Sequence, residues 1–218
     1  MAAWAGKDAA MILIGQYDSS FVRRVGIALT LYGLPFEHRP WSTFGDADRL
    51  RALNPLTRVP TMALDDGSVV LDSFSIIDHI DSLVTPSARM MPAEGPARRD
   101  AMRVIALATG LADKAVALFY EMRLHETPSQ IWSNRCRTQI AATLAALEAD
   151  RAGRVTDFWC GPAIGHADIA VACALRHTND THAGLIEWDA YPALAAHSQR
   201  MEAMDVFRQI FQSFIPPS

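Results

Sequence analysis

The chain has 218 residues, of which 50% are hydrophobic and 20% are charged, with a formal net charge of −4 at pH 7. This length suits one large or two modest domains, and the composition is that of an ordinary globular protein. The acidic balance argues against a protein that binds nucleic acid or anionic membranes. The longest apolar stretches are interrupted and far shorter than the ~20 residues of a membrane span, so neither kind of partner is expected.

The first ten residues and the cysteines bear on the cell compartment. Residues 1–10 contain no apolar core of secretory length, so no signal peptide is expected, and Met11 is a candidate for the functional start. The three cysteines are Cys136, Cys160 and Cys173, and no Cys or His spacing resembles a metal site. The pattern predicts a protein of a reducing compartment without a metal, in which the cysteines are small core residues.

Short strands and helices alternate in the first third of the chain. In chain order, hydrophobic spacing predicts a strand at 11–15, a turn at 17–20, a helix at 21–33 that Gly33 ends, an extended segment at 35–41 and a short helix at 48–53 that Asn54-Pro55 ends. Arg23 and Arg24 lie in this predicted helix, and we expect them to be surface or interdomain charges and not ligands, as most arginines are.

A hairpin and a helix start follow at residues 58–73, R-V-P-T-M-A-L-D-D-G-S-V-V-L-D-S. Two apolar runs, 61–64 and 68–71, are separated by Asp-Asp-Gly, which is a β-hairpin signal. Pro60 comes directly before the first run and cannot donate to a strand ladder, so it lies at a strand start or in a turn, and a cis bond before it is a minority state. Asp72-Ser73 precedes a run with helical spacing, so both fall where a helix N-terminus offers free N–H groups to an anion, or where they merely cap the helix.

The remainder of the chain is predicted to be helical. A break rich in turn residues separates 11–86 from 97–218, with 87–96 as linker. Helical patterns cover 98–125, 129–149, 167–177, 191–204 and 206–214. The third of these, 167–177, is apolar nearly all round and should be buried. Before the buried helix, G-P-A-I-G-H-A-D predicts that Asp168 reaches back to the N-cap backbone N–H, although Gly165 stands where Ser or Thr is usual.

These elements and the motif N-P-x-x-R-V-P…D-S at 54–73 resemble the cytosolic glutathione transferases. S-S-F-V-R-R-V at 19–25 is similar to the Ser-type catalytic turn of the zeta and tau classes and related bacterial members. The resemblance implies an α/β thioredoxin-like N-terminal domain followed by an all-α C-terminal helical domain. It also implies glutathione as co-substrate, a homodimer, a cytoplasmic location and a role in detoxification.

The chemistry implied by the resemblance is stabilisation of the glutathione thiolate. A free thiol has a pKa of about 8.5, so little thiolate exists at neutral pH. A hydroxyl at a helix N-terminus can donate to the sulfur anion, and Ser19 is the first candidate, with Ser20 as alternative. Tyr17 is a weaker candidate that we expect to pack, and both serines could simply cap the helix.

By the same resemblance, five residues bind glutathione. Val59, beside Pro60, pairs through its backbone with the cysteinyl part, and Asp72 and Ser73 hold the γ-glutamyl end. Arg58 is a candidate for the glycine carboxylate, although a solvated surface Arg fits equally well. The second substrate of this family lies in an apolar cleft, for which the candidates are Phe21, Trp41, Phe44, Leu111, Ala115, Phe119 and Tyr120, each of which could instead be plain core.

Three functions remain open at this point. The first is a glutathione S-transferase acting on small hydrophobic electrophiles. The second is a zeta-like glutathione-dependent isomerase or a dehalogenase, although Phe21 stands where the zeta turn usually has Cys. The third is a catalytically silent glutathione-binding protein. No Cys stands in the turn, which disfavours thiol chemistry by the protein itself.

Overall fold

The computed structural model describes residues 11–216, so the candidate start segment 1–10 lies outside the described residues. The chain forms two compact units, which comprise residues 11–89 with 206–216 and residues 90–205. The sequence analysis placed the end of the chain in the helical domain, 97–218. In the structure, residues 206–216, here called the C-terminal segment, belong with the first unit instead.

The first unit is built on a four-stranded mixed sheet. Its elements are β1 (Met11–Ile14), α1 (Ser20–Tyr32), β2 (Glu37–Arg39), α2 (Ala47–Arg51), β3 (Thr61–Leu64), β4 (Val69–Leu71), α3 (Ser73–Ser82) and a 3-10 turn (Pro86–Ala88). The strand order is β2-β1-β3-β4, with β1 parallel to β2 and antiparallel to β3. The predicted α/β character and the order of elements are confirmed.

The hairpin β3–β4 forms as its turn residues predict. Gly67 has a φ of 84°, a left-handed conformation that glycine adopts without steric cost. Asp66 Oδ1 accepts a hydrogen bond from the Ser68 N–H at 2.8 Å, and the Leu64 N–H donates to the Ser68 carbonyl at 2.9 Å. The central strand β1 is buried along its whole length, as a strand between two neighbours should be.

Helix α1 is buried on nearly every side, which corrects the expectation for its two arginines. Arg23 and Arg24 are each only 2% exposed. Arg23 donates from Nη2 to the Phe207 carbonyl at 2.8 Å and from Nε to the Ile210 carbonyl at 2.9 Å. Such bonds from a charged donor are stronger than neutral ones, and they explain why the C-terminal segment packs with the first unit.

The second unit is entirely helical apart from its connections, as predicted. Its helices are α4 (Gly95–Leu124), α5 (Gln130–Ala152), α6 (His166–Thr181) and α7 (Pro192–Glu202), with a 3-10 turn at Trp188–Ala190. Helix α8 (Asp205–Gln209) starts at the last residue of this unit and lies otherwise in the C-terminal segment. The buried central helix is confirmed, since every residue of α6 from His166 to Leu175 is buried. Among the described residues, no helix is long and apolar enough to cross a membrane.

Asp168 starts α6 as predicted. Its Oδ2 accepts the Gly165 N–H at 2.9 Å, and its Oδ1 accepts the Trp159 N–H at 2.8 Å. Gly165 brings no side-chain acceptor, so only the carboxylate half of the capping box is present. The cysteine prediction holds for Cys136 and Cys173, which are buried, but is wrong for Cys160, which is exposed in the loop before α6.

Candidate functional site

The turn between β1 and α1 presents Ser19 at the start of a buried helix. Ser19 is the N-cap residue, with extended backbone angles (φ −72°, ψ 121°), and its carbonyl accepts the Arg23 N–H at 2.9 Å. Its hydroxyl makes no capping hydrogen bond, so the alternative that Ser19 merely caps the helix is not supported. Ser19 is half-buried and, as N-cap residue, lies beside the free N–H groups of the first turn, where a negative charge is favoured.

Ser20 is placed differently from Ser19. It is the first helical residue and is 5% exposed. Within the described part of the chain its Oγ has no hydrogen-bond partner. A buried hydroxyl without a partner costs about 1–3 kcal/mol, so Ser20 is a poorly solvated group next to the more accessible Ser19.

Tyr17 packs, as expected. Its ring stacks on His38 with centroids 3.8 Å apart and an angle of 11° between the planes. Burial raises the pKa of Tyr17 to about 12, so the phenol keeps its proton at neutral pH. His38, which the sequence did not single out, also places Nε2 at 2.7 Å from the Gly15 carbonyl oxygen and so supports the turn from β2.

Gly15 brings the serine turn against the Val59–Pro60 segment. Its φ is 131°, and a Cβ atom there would lie 2.7 Å from Val59 Cβ and 2.5 Å from Val22 Cγ2. No larger residue fits such an approach without displacement of its neighbours. Two segments that the sequence assigned to the same site, 44 residues apart in the chain, are therefore neighbours in space.

The Val59–Pro60 segment has the features of an extended docking edge. The bond before Pro60 is cis, the state that was expected to be the minority one. Within the described residues, the Val59 N–H and carbonyl take part in no hydrogen bond. A backbone donor and acceptor that are unused beside a sheet can pair with an extended peptide.

Asn54 holds the loop that leads to this segment, which is more than the predicted helix stop. Its side-chain Nδ2 donates to the Arg58 carbonyl at 2.9 Å and to Thr61 Oγ1 at 3.1 Å. Its Oδ1 accepts the Leu56 N–H at 3.0 Å, and the residue is 1% exposed. Arg58, in contrast to the buried Asn54, is an exposed residue.

Asp72 and Ser73 begin α3, as predicted. Asp72 adopts a left-handed φ of 69°, and its Oδ1 accepts the Phe74 N–H at 2.8 Å, so its capping role is real. The residue is exposed, and among the described residues its second carboxylate oxygen has no hydrogen bond. Ser73 is buried, and its Oγ lies 3.5 Å from Nη1 of the buried Arg24. Sequence reasoning missed Arg24, because an Arg in a helix gives no sign of burial.

The candidates for the second substrate occupy dissimilar environments. In the first unit, Phe21 is half-buried, Phe44 is 44% exposed, and Trp41 packs on a cluster formed by Ile12, Ile14, Leu50 and Ala63. In the second unit, Leu111 and Ala115 are fully buried. Phe119 and Tyr120 are half-buried there, with the Phe119 ring 6.3 Å from that of His182.

No group of three or more His, Cys, Asp or Glu side chains within residues 11–216 is arranged to hold a metal ion. Among the candidate residues of the first unit, Gly15 brings the serine turn against Val59, and the pairing of Thr61 with Leu71 places Asp72 beside Pro60. These residues offer a hydroxyl, backbone N–H and C=O groups, a carboxylate and a helix N-terminus. These suit a ligand that carries an anionic sulfur, a peptide unit, an ammonium and a carboxylate.

Several known proteins are similar to this chain over most of its length. A GST-like protein from Escherichia coli, YibF, described as uncharacterized, is 29% identical over 171 residues, which cover 78% of this chain and 82% of the relative. Maleylacetoacetate isomerase from Mus musculus is 24% identical over 211 residues, which cover 94% and 92%. The crystal structure of a glutathione S-transferase from Methylobacillus flagellatus with glutathione bound is 25% identical, with a TM-score of 0.83 over 92% of this chain and 98% of that one.

Family models agree with these similarities in both parts of the chain. The glutathione S-transferase N-terminal domain matches residues 13–88, and the glutathione S-transferase C-terminal domain matches residues 130–200. The first match contains the serine turn, the Val59–Pro60 segment and the start of α3, and the second contains α5, α6 and most of α7. The chain belongs to the glutathione S-transferase family.

Proposed function

We propose that this protein binds glutathione in its first unit and uses the thiolate to attack a small hydrophobic electrophile. The observation that carries the proposal is the contact at Gly15, which joins the turn bearing Ser19 to the segment bearing Val59. A glutathione sulfur near the turn and a peptide backbone along Val59 can be held at once only if these two segments are adjacent. The glutathione bound in the related crystal structure supports the same ligand.

The backbone of Val59 would pair with the cysteinyl residue of glutathione. At the other end of the ligand, the free carboxylate oxygen of Asp72 would accept the γ-glutamyl ammonium. The Ser73 hydroxyl and the N–H groups that open α3 would receive the γ-glutamyl carboxylate. Arg58 stays a candidate for the glycine carboxylate, because its exposed side chain can reach solvent-facing groups of a ligand on this loop.

Ser19 would donate its hydroxyl hydrogen to the sulfur anion. It does not act as a base, since the Ser hydroxyl keeps its own proton at neutral pH and the neutral hydroxyl is too weak a base to take the proton of a thiol. It lowers the thiol pKa by favouring the charged form, together with the N–H groups and dipole of α1. Removal of one such preorganised donor costs about 3 kcal/mol in transition-state stabilisation in other enzymes.

A second candidate function is isomerisation of a maleyl compound. It is favoured by the similarity to mouse maleylacetoacetate isomerase, which extends over 94% of the chain, and by the pair Ser19-Ser20. In that reaction the thiolate adds to the double bond, rotation follows, and the thiolate leaves again, so glutathione is not consumed. A homodimer, a cytoplasmic location and a role in detoxification belong to the proposal as well, by family analogy.

Glutathione binding and turnover are measured in two steps. Isothermal titration calorimetry with glutathione should give saturable heat, and the bound complex should turn over an activated aryl halide with loss of the free thiol. Turnover of a maleyl compound without glutathione consumption would identify the isomerase instead. Absence of heat at millimolar glutathione would overturn both, and binding without any turnover on a broad panel of electrophiles would indicate a silent binder.

A further inference from the structure

The turn that carries Ser19 is held by the far end of the chain. The Tyr17 N–H donates to Oε1 of Gln212 at 3.2 Å, and the Ile215 N–H donates to Oδ2 of Asp18 at 3.1 Å. These bonds link positions separated by 195 and 197 residues in sequence. They fall on the two residues immediately before Ser19, so any shift of the C-terminal segment is transmitted to the proposed sulfur donor through at most two peptide units.

The C-terminal segment is itself firmly attached to α1. Arg23, four residues after Ser19, donates to the carbonyls of Phe207 and Ile210. Its guanidinium carbon also lies 5.4 Å from the ring centroid of Phe207 and 6.0 Å from that of Phe211. Cation–π contacts at such distances add to the hydrogen bonds, so the segment is fixed before it reaches Gln212.

Gly26 allows the turn, α1 and the segment to meet. A Cβ atom at Gly26 would lie 2.7 Å from Tyr17 Cε1 and 3.0 Å from Ile210 Cγ2. The Tyr17 ring and the Ile210 side chain therefore both pack directly on the helix backbone. The Tyr17 ring also stacks on His38 of β2, so the turn is in contact with both β2 and the C-terminal segment.

We infer that Gln212 is a positioning residue for the proposed thiolate chemistry: its amide oxygen fixes the Tyr17 N–H and thereby the place of the Ser19 hydroxyl. The inference rests on the proposed function of Ser19. A donor to the sulfur must be held at hydrogen-bonding distance from where the charge sits, and a misplacement of about 1 Å can cost about a hundredfold in rate. In this role Gln212 acts through its bond to the Tyr17 N–H and not by contact with the reacting sulfur.

The test compares Gln212→Met with Gln209→Met. Methionine has nearly the length of glutamine but lacks the acceptor, and Gln209 is an exposed residue of the same segment whose side chain makes no hydrogen bond among the described residues. In Gln212→Met we expect the pKa of the bound glutathione thiol to rise by about one unit and kcat at neutral pH to fall roughly tenfold. The rate should recover at higher pH, and KM for glutathione should stay within about twofold of the parent. Gln209→Met should match the parent throughout.

A readout without glutathione separates this inference from the proposed function. Amide hydrogen exchange of a peptide covering residues 15–20 should be faster in Gln212→Met than in Gln209→Met, because the Tyr17 N–H loses its acceptor. Unchanged exchange at the turn overturns the inference. So does a bound thiol that titrates as in the parent while only the melting temperature falls, since that is a merely structural role. If the parent binds no glutathione, the proposed function fails, and the exchange comparison still decides whether Gln212 holds the turn.

Discussion

The guanidinium of Arg24 on α1 lies 3.5 Å from the hydroxyl oxygen of Ser73 at the start of α3, and both residues are buried. Since a guanidinium can only donate, the Ser73 oxygen accepts, and its hydrogen is left for another acceptor. The buried cation also adds positive potential to that of the helix N-terminus. A carboxylate at the N-terminus of α3 would accept the hydrogen of the Ser73 hydroxyl and would be stabilised by this positive potential.

Ser73→Ala should therefore weaken glutathione binding. The loss of one hydrogen bond to a charged group corresponds to about 1.5–3 kcal/mol, or roughly a tenfold to hundredfold higher Kd. Calorimetric titration measures this change. Ser75→Ala, which removes an exposed hydroxyl on the same helix, is the matched control and should bind as the parent does. Equal affinities in the two variants would remove Ser73 from the binding site.

Two substitutions of Asp72 distinguish its cap from its charge. Asp72→Asn keeps an oxygen for the Phe74 N–H and tolerates the left-handed backbone, so its stability should be near that of the parent. It removes the charge that would pair with the γ-glutamyl ammonium, so glutathione Kd should still rise about tenfold.

Asp72→Ala should lose affinity and stability together, because alanine neither caps the helix nor favours a positive φ. The expected loss of stability is about 1–2 kcal/mol. Thermal melts and titrations on the three proteins give the answer. A Kd for Asp72→Asn equal to that of the parent would mean that the carboxylate serves the helix alone.

Ser19 and Ser20 should respond to alanine in opposite ways. Ser19→Ala should raise the pKa of the bound thiol and lower kcat at neutral pH by about a hundredfold, with little change in glutathione affinity. Ser20→Ala removes a buried hydroxyl that has no partner in the described structure, so it should leave activity intact and leave the melting temperature unchanged or raised. Each variant is the control for the other. Ultraviolet titration of the bound thiolate measures the pKa of the glutathione thiol in both. A shifted thiol pKa in Ser20→Ala alone would reverse the assignment.

The order of elements in the first unit could be predicted because local signals were strong there. Gly33 ends α1, Asp66 and Gly67 turn the hairpin, and Asp72 caps α3, each through contacts with near neighbours in sequence. Asp168 was predictable for the same reason, as its partner Gly165 is three residues away. Caps and turns of this kind depend on residues close together in sequence, so short motifs are enough to predict them.

What could not be predicted depends on contacts between distant residues. The burial of Arg23 requires the carbonyls of Phe207 and Ile210, and the support of Tyr17 requires Gln212. An Arg or Gln in an amphipathic pattern is read as a surface residue, because most of them are. The environments of Leu111, Ala115 and Phe119 were equally hidden, since spacing on a helix identifies an apolar face but not what covers it.

The carboxylate of Asp168 should matter to folding more than to chemistry. Asp168→Ala leaves the Gly165 and Trp159 N–H groups without their acceptor in a fully buried place. We expect a loss of about 2–5 kcal/mol in the free energy of unfolding from these two orphaned donors. KM for glutathione should change little. Asp189→Ala, at an exposed position of the same unit, is the control. An unchanged melting temperature together with lost activity would contradict a folding role.

The acid side of the stability curve should be shaped by His197, whose environment disfavours a charged ring. The ring is buried, stacks edge-on against Trp159 at 5.1 Å and has Nε2 at 3.2 Å from the Asp168 carbonyl. Burial, aided by Arg151 and Arg200, lowers the pKa of His197 to about 4, although the Asp168 carboxylate lies 4.0 Å from Nδ1. In the unfolded chain His197 therefore binds a proton near pH 6.5, whereas in the folded protein it binds one only near pH 4.

Stability should consequently fall as the pH drops from about 6.5 to about 4, with His197 accounting for about 3 kcal/mol of the loss. The lowered pKa values of His38 and His182 act in the same direction, whereas the raised pKa of Asp168 acts in the opposite one. Urea unfolding at several pH values on His197→Gln isolates the share of His197, because the glutamine amide can still donate to the Asp168 carbonyl but cannot titrate. His125→Gln, an exposed site, should keep the slope of the parent. If His197→Gln shows the same dependence on pH as the parent, the buried ring is not the group that limits acid stability.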